Sequence, residues 1–261
     1  MDNSVFISYR RNVSGYPARA VFQDLCFNGV QAFLDIESIG SGPFSSRIVN
    51  QIMARPYFVL LLAPGSLERT TEPHDWLRRE IETAISANRI IIPLLTSGFD
   101  FTAPYAQPYL TGTLEQLPTF NAVNVPLDYF DEAMTRLRTR FLKPVDLPTT
   151  ALPMQEQMAM QAKLDEVMAL PRVTAEQLNA QQFFERALAR MSDDIGGQIA
   201  DYTEALRLNP RFTDAYYNRS FARMAQGDEE GAKADYRAYL SCKAKALKIQ
   251  TAIFHKPRMA L

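Results

Sequence analysis

Short apolar runs alternate with amphipathic stretches through the first half of the chain. Val5-Phe6-Ile7 is a β-branched and aromatic run that ends in the polar Ser8-Tyr9-Arg10-Arg11, the pattern of a buried strand delivering a loop. Between Tyr16 and Asn28, Ala20, Val21 and Leu25 recur at helical spacing with Phe22 beside them, and Gly29 stands where a C-terminal cap belongs. Ala32-Phe33-Leu34 reads as a second strand, the polar and glycine-containing stretch 35–43 as a loop, and residues 44–54 as a helix carried by Ile48, Ile52 and Met53. Tyr57 to Leu62 is apolar without interruption, as in a strand covered on both faces of a parallel sheet. Leu77, Ile81, Ala84 and Ile85 draw a core stripe along a helix over 75–87, and Ile90 to Leu95 reads as the next strand.

This alternation predicts an α/β fold, a flavodoxin-like, doubly wound parallel sheet of five strands. The fifth strand is expected near 122–125, after an irregular loop over 99–118 rich in Pro, Tyr, Thr and Gly, and a helix over 128–141 closes the domain. Ligands of such sheets sit beyond the carboxyl ends of the strands, which directs attention to the loops after Ile7, Leu34, Leu62 and Leu95. From 144 to 153 Pro and Thr accumulate and periodicity vanishes, so the first domain is placed at 1–145 and a linker at 146–175. That linker region contains a helical stretch over 154–170, stopped at Pro171.

An internal repeat marks the all-α remainder, 176–261. Ala200-Asp201-Tyr202 and Ala234-Asp235-Tyr236 are identical triplets 34 residues apart, and Leu206 and Leu240 keep the same offset. Asn209-Pro210 ends one unit, while Ala215-Tyr216-Tyr217-Asn218-Arg219 and Gly227-Asp228 supply the aromatic and turn residues of the next. The stretch resembles TPR helical hairpins over about 178–245; because about three such units are wanted for a self-standing stack, the helix over 154–170 or the segment 246–255 is expected to cap it.

Composition narrows the function classes. With 261 residues, 47% hydrophobic and 22% charged, the chain reads as folded, with one or two domains. Twenty-eight basic against 29 acidic residues leave a net charge of -1, so nothing sequence-wide attracts nucleic acid or an anionic membrane. Cys26 and Cys242 fall in different predicted domains without a CxxC, which indicates neither a disulfide framework nor a metal site. No apolar stretch near the front approaches the ~18 residues of a membrane span, and a cytoplasmic setting is the expectation.

Four segments, in this order, resemble bacterial TIR domains. Val5 to Arg11 is similar to the family's first strand and exit loop, and Phe33-Leu34-Asp35 with Ile39-Gly40-Ser41-Gly42-Pro43-Phe44 to its second strand and BB loop. Tyr57 to Ala63 with Pro64-Gly65-Ser66 resembles the third strand, and Asp75-Trp76-Leu77-Arg78-Arg79-Glu80-Ile81 the helix bearing a Trp-x-x-x-Glu signature. The resemblance implies NAD cleavage, hydrolytic or cyclising, with NAD as substrate and no resident cofactor. It also implies homo-oligomerisation through Ile39, Gly40, Gly42, Pro43 and Phe44, and a role in antiviral defence; other TIR domains are adaptors that only bind proteins, and fold recognition leaves that choice open.

Trp76 and Glu80 are one helical turn apart and share a face, where an indole can shield a carboxylate. Breaking the nicotinamide–ribose bond develops oxocarbenium charge on the sugar, and one carboxylate stabilises it; nicotinamide leaves without a general acid. By spacing alone Glu80 reads more readily as a solvated helix residue beside Arg79 and Glu82, and Trp76 as packing; the resemblance makes Glu80 the catalytic candidate. Tyr9 suits a base and Arg10 a pyrophosphate, though either residue also fits a loop cap. Asp35 suits a ribose or a cap of the BB loop, and Ser66 and Tyr105 are substrate-binding candidates by location. No GxGxxG or GxxxxGKS phosphate loop is present. The repeats imply a protein or peptide partner.

Overall fold

Five parallel strands, β1 (Val5–Ser8), β2 (Ala32–Leu34), β3 (Tyr57–Leu62), β4 (Ile90–Thr96) and β5 (Val123–Val125), pair in the order β2-β1-β3-β4-β5. The computed structural model describes residues 1–34, 46–96, 98–190 and 193–254. Strand order reverses between β1 and β3, so the end of β1 lies at the switch point where such sheets bind ligands. Ile7 pairs with Leu34 on one side and Val59 on the other, and Ser8 pairs with Leu60.

Period-two alternation sends successive side chains to opposite faces. Val5, Ile7, Val59 and Leu61 join one apolar cluster, with Val21 and Leu25 of α1 (Arg11–Phe27) and Met134 of α4 (Phe130–Arg136). Phe6, Phe58, Leu60 and Leu62 join the other, with Ile48 and Ile52 of α2 (Ser46–Met53) and Leu77 and Ile81 of α3 (Trp76–Ser86). Both faces are covered, as the unbroken apolar run of β3 predicts. Helix α1 starts earlier than its apolar spacing suggests and kinks at Ser14, because Pro17 has no N–H to offer the Val13 carbonyl. Gly29, at φ +78°, takes the left-handed conformation that lets the chain turn back into β2.

The chain divides into two compact units, Met1–Leu178 and Asn179–Leu261. The first unit extends past the expected boundary at 145, for two reasons. Asp2 and Val145 exchange backbone hydrogen bonds of 2.8 and 2.9 Å, and the Thr150 amide donates to the Met53 carbonyl. Leu164 and Met168 of α5 (Met154–Ala169) then pack against the α1 face cluster. A stretch that reads as linker is thus held down by its backbone, and the helix over 154–170, one of the two expected caps of the repeats, falls within the first unit.

In the second unit, α7 (Ile195–Leu208), α8 (Thr213–Gln226) and α9 (Glu229–Phe254) follow α6 (Ala175–Ala189), which begins in the first. Each aspartate of the repeated triplet is clamped by two arginines that precede it in the chain: Asp201 by Arg186 of the preceding helix and Arg190 just past its end, Asp235 by Arg219 and Arg223. The second clamp is the drier, since Arg219 and Arg223 are 11% and 24% exposed against 57% and 33% for Arg186 and Arg190. Asp235→Ala is therefore expected to destabilise this unit by about 3 kcal/mol, and Asp201→Ala by roughly half as much, in denaturant melts of the full chain.

Asp214, in the first turn of α8, has its carboxyl pushed up to about 6 by burial, with Lys243 opposing. A carboxyl raised in the folded state favours folding while protonated; that advantage is complete below about pH 4 and disappears as pH rises through 6. Asp214→Asn is expected to flatten this slope and to stabilise the unit by up to about 2 kcal/mol at pH 7.5, visible as melting temperatures that no longer fall between pH 4 and 7.5.

Candidate active site

The exit of β1 and the first turns of α3 are joined twice. Ser8 donates its hydroxyl to Glu80 Oε2 at 2.6 Å, across 72 residues of chain, with both residues buried. Arg10 forms a bidentate pair with Asp75, Nη1 to Oδ2 at 2.6 Å and Nη2 to Oδ1 at 3.2 Å, and its Nε donates to the Ser66 carbonyl at 3.0 Å. Asp75 is also the N-cap of α3 and accepts from the Arg78 amide at 2.9 Å. The helix therefore begins where it does because a carboxylate caps one of its orphan amides while a guanidinium neutralises that carboxylate.

Parity along β1 explains which side chains arrive. Phe6 belongs to the α3 face, so Ser8 and Arg10 point the same way and reach Glu80 and Asp75. Tyr9 takes the opposite parity and packs against the α1 face cluster. Trp76 opens α3, half-buried against the α3 face cluster, one turn before Glu80. Glu80 itself is 6% exposed, not a solvated helix position.

The other expected residues are placed as follows. Arg10 is held by Asp75 and the Ser66 carbonyl, at the exit of β1. Ser66 closes the turn after β3: its hydroxyl accepts from the Ala63 amide at 2.9 Å. Tyr105 staples the loop after β4, donating to the Gly98 carbonyl at 2.6 Å and accepting from the Asp100 amide at 2.8 Å; burial pushes its phenol up. Asp35, Ile39, Gly40, Gly42, Pro43 and Phe44 lie outside the described residues. Beside Arg10, burial pushes the Glu68 carboxyl up while the guanidinium pulls it down.

Two participants were missed by sequence reasoning, Ser8 and Asp75. Counting alternate positions from Phe6 finds the first, and the N-cap pattern ahead of Trp76 finds the second. The arrangement delivers one buried carboxylate, oriented by a hydroxyl, at the carboxyl edge of the sheet. Such a group can stabilise positive charge developing on a bound sugar. Among the described residues no cluster of His, Cys, Asp and Glu is arranged to hold a metal ion, and no helix is long and apolar enough to cross a membrane.

A family model described as TIR domain matches residues 5–137. The chain is similar to the NAD(+) hydrolase tir-1 of Caenorhabditis elegans, 30% identical over 141 residues, which are 53% of this chain and 14% of that protein. It is 33% identical over 142 residues to the NAD(+) hydrolase sarm1 of Drosophila melanogaster, 53% of this chain and 10% of the relative. A third match, the NAD(+) hydrolase SARM1 of Danio rerio, is 27% identical over 142 residues and 19% of its length. The chain thus spans less than a fifth of each of these relatives.

Proposed function

We propose that this chain, which belongs to the TIR domain family, cleaves the bond between nicotinamide and ribose in NAD, with Glu80 as the catalytic carboxylate. The observation that carries the reading is the burial of Glu80 on the α3 face, its Oε2 held by Ser8 at the end of β1. Three relatives over this half of the chain are named as NAD(+) hydrolases.

In the reaction, the C1′–N bond breaks and its electron pair leaves with nicotinamide. The oxocarbenium ion left on the ribose is stabilised by ionised Glu80. Water then adds to C1′ and loses a proton, giving ADP-ribose; capture by an adenine nitrogen of the same molecule gives the cyclic product instead. Trp76, one turn before Glu80, shields the carboxylate from water and lines the substrate side. NAD enters and leaves as substrate, and no resident cofactor is needed.

Self-association through residues 35–44 is the second part of the reading and makes activity depend on assembly. The tail is the third: its two similar Arg–Asp clamps support TPR-like repeats. Tyr217, Phe221, Met224, Tyr236 and Leu240 expose an apolar surface there that suits a protein or peptide partner. A part in antiviral defence follows if a bound partner drives assembly and NAD is consumed.

The test is nicotinamide release from NAD by the full chain over a series of protein concentrations. Release that climbs more steeply than concentration supports both catalysis and assembly. No release from a chain shown to be assembled would leave an adaptor, in which the same surfaces only bind proteins.

A further inference from the structure

We propose that Ser8 is the positioning residue for Glu80, aiming its carboxylate and keeping it ionised; this rests on the reading of Glu80 as the catalytic group. Ser8 Oγ lies 2.6 Å from Glu80 Oε2, and the two residues are 1% and 6% exposed. A hydroxyl at a strand end ordinarily settles on a neighbouring backbone carbonyl. Thr96, at the end of β4, does so, donating to the Leu62 carbonyl at 3.2 Å. Ser8 instead spans the layer between sheet and helix to reach a carboxylate.

The bond is not what docks α3. Arg10 already fastens Asp75, at the head of the helix, to the β1 exit, and Leu77 and Ile81 seat the helix in the core. What the Ser8 hydroxyl adds is direction and charge. Fixing Oε2 fixes the carboxylate plane and so the direction in which Oε1 points, and a donor aimed at a buried carboxylate favours its ionised form. Oxocarbenium stabilisation needs both.

Ser8→Ala removes the donor and leaves only a small void; Ser8→Cys leaves no void, its thiol being somewhat larger than the hydroxyl, and substitutes a weak donor. In both, the acid limb of the kcat/KM profile for nicotinamide release is expected to move up by about one pH unit, a tenfold change in the ionisation constant. At a pH below the limb the rate then falls about tenfold, and far less on the plateau. Carbon NMR titration of the Glu80 carboxyl in the full chain reads the same shift without substrate. A merely structural role would lower the melting temperature and the rate at every pH, with the limb unmoved. Should Ser8→Ala fail to fold, Ser8→Cys supplies the measurement. If neither the limb nor the Glu80 titration moves in a folded variant, the inference is overturned. A wild-type chain that is assembled yet cleaves no NAD defeats the enzyme reading, and the carboxyl titration still decides whether Ser8 governs the charge of Glu80.

Discussion

Glu80→Gln is expected to reduce nicotinamide release by about a thousandfold or more while leaving fold and assembly unchanged. The substitution preserves shape, and the amide oxygen still accepts the Ser8 hydroxyl that now reaches Oε2 at 2.6 Å. Only the charge is lost. Removing a single neutral donor from a charge-stabilising site slows catalysis by about 10²–10³, and a full charge beside an oxocarbenium centre is worth at least as much. Because neutralising a carboxylate at 6% exposure relieves desolvation, stability is not expected to fall. The comparison is made at a protein concentration where the wild-type chain is active, with melting temperature and sedimentation measured in parallel. A variant retaining more than a tenth of wild-type activity would remove Glu80 from the mechanism.

The elements most legible in the sequence were those whose apolar period is set by packing. The unbroken run of β3 and the stripe of Leu77, Ile81 and Ala84 on α3 both read correctly because each is buried against a sheet or helix layer, and burial demands a period. The segment at 144–153 was opaque for the converse reason. It is held by main-chain bonds, Asp2 to Val145 and Thr150 to Met53, and by Arg89 donating to the Pro148 carbonyl, none of which leaves a side-chain pattern. At the site, Glu80 could be singled out only through the family resemblance, since an isolated glutamate at helical spacing favours solvent. Ser8 and the Arg10–Asp75 pair join residues 72 and 65 positions apart, a distance over which local periodicity carries no information. Parity along β1 was nevertheless available. It separates Tyr9, on the α1 face, from Ser8 and Arg10, on the α3 face.

Arg10→Leu is expected to destabilise the first unit by about 3–5 kcal/mol, the magnitude for breaking one side of a buried ion pair. Asp75 would keep its charge at 7% exposure without its bidentate guanidinium, the Arg78 amide still donating to it. Asp75→Asn leaves the opposite fault, a guanidinium at 9% exposure that has lost its bidentate carboxylate, although asparagine still caps α3. Each single change leaves one member of the pair buried without its bidentate partner, so the double variant Arg10→Leu/Asp75→Asn, which removes both charges of the pair, is expected to recover about 2 kcal/mol or more relative to the sum of the two. Denaturant midpoints of the four proteins measure this coupling. The sequence offers a competing use for Arg10, as a ligand for the pyrophosphate of NAD, and that use makes a different prediction: KM for NAD would rise while stability stayed level. The bidentate geometry and the third bond to the Ser66 carbonyl favour the structural outcome. Whatever activity Arg10→Leu loses should then follow from the head of α3 leaving its seat, and with it Trp76 and Glu80, so kcat is expected to fall together with the denaturant midpoint.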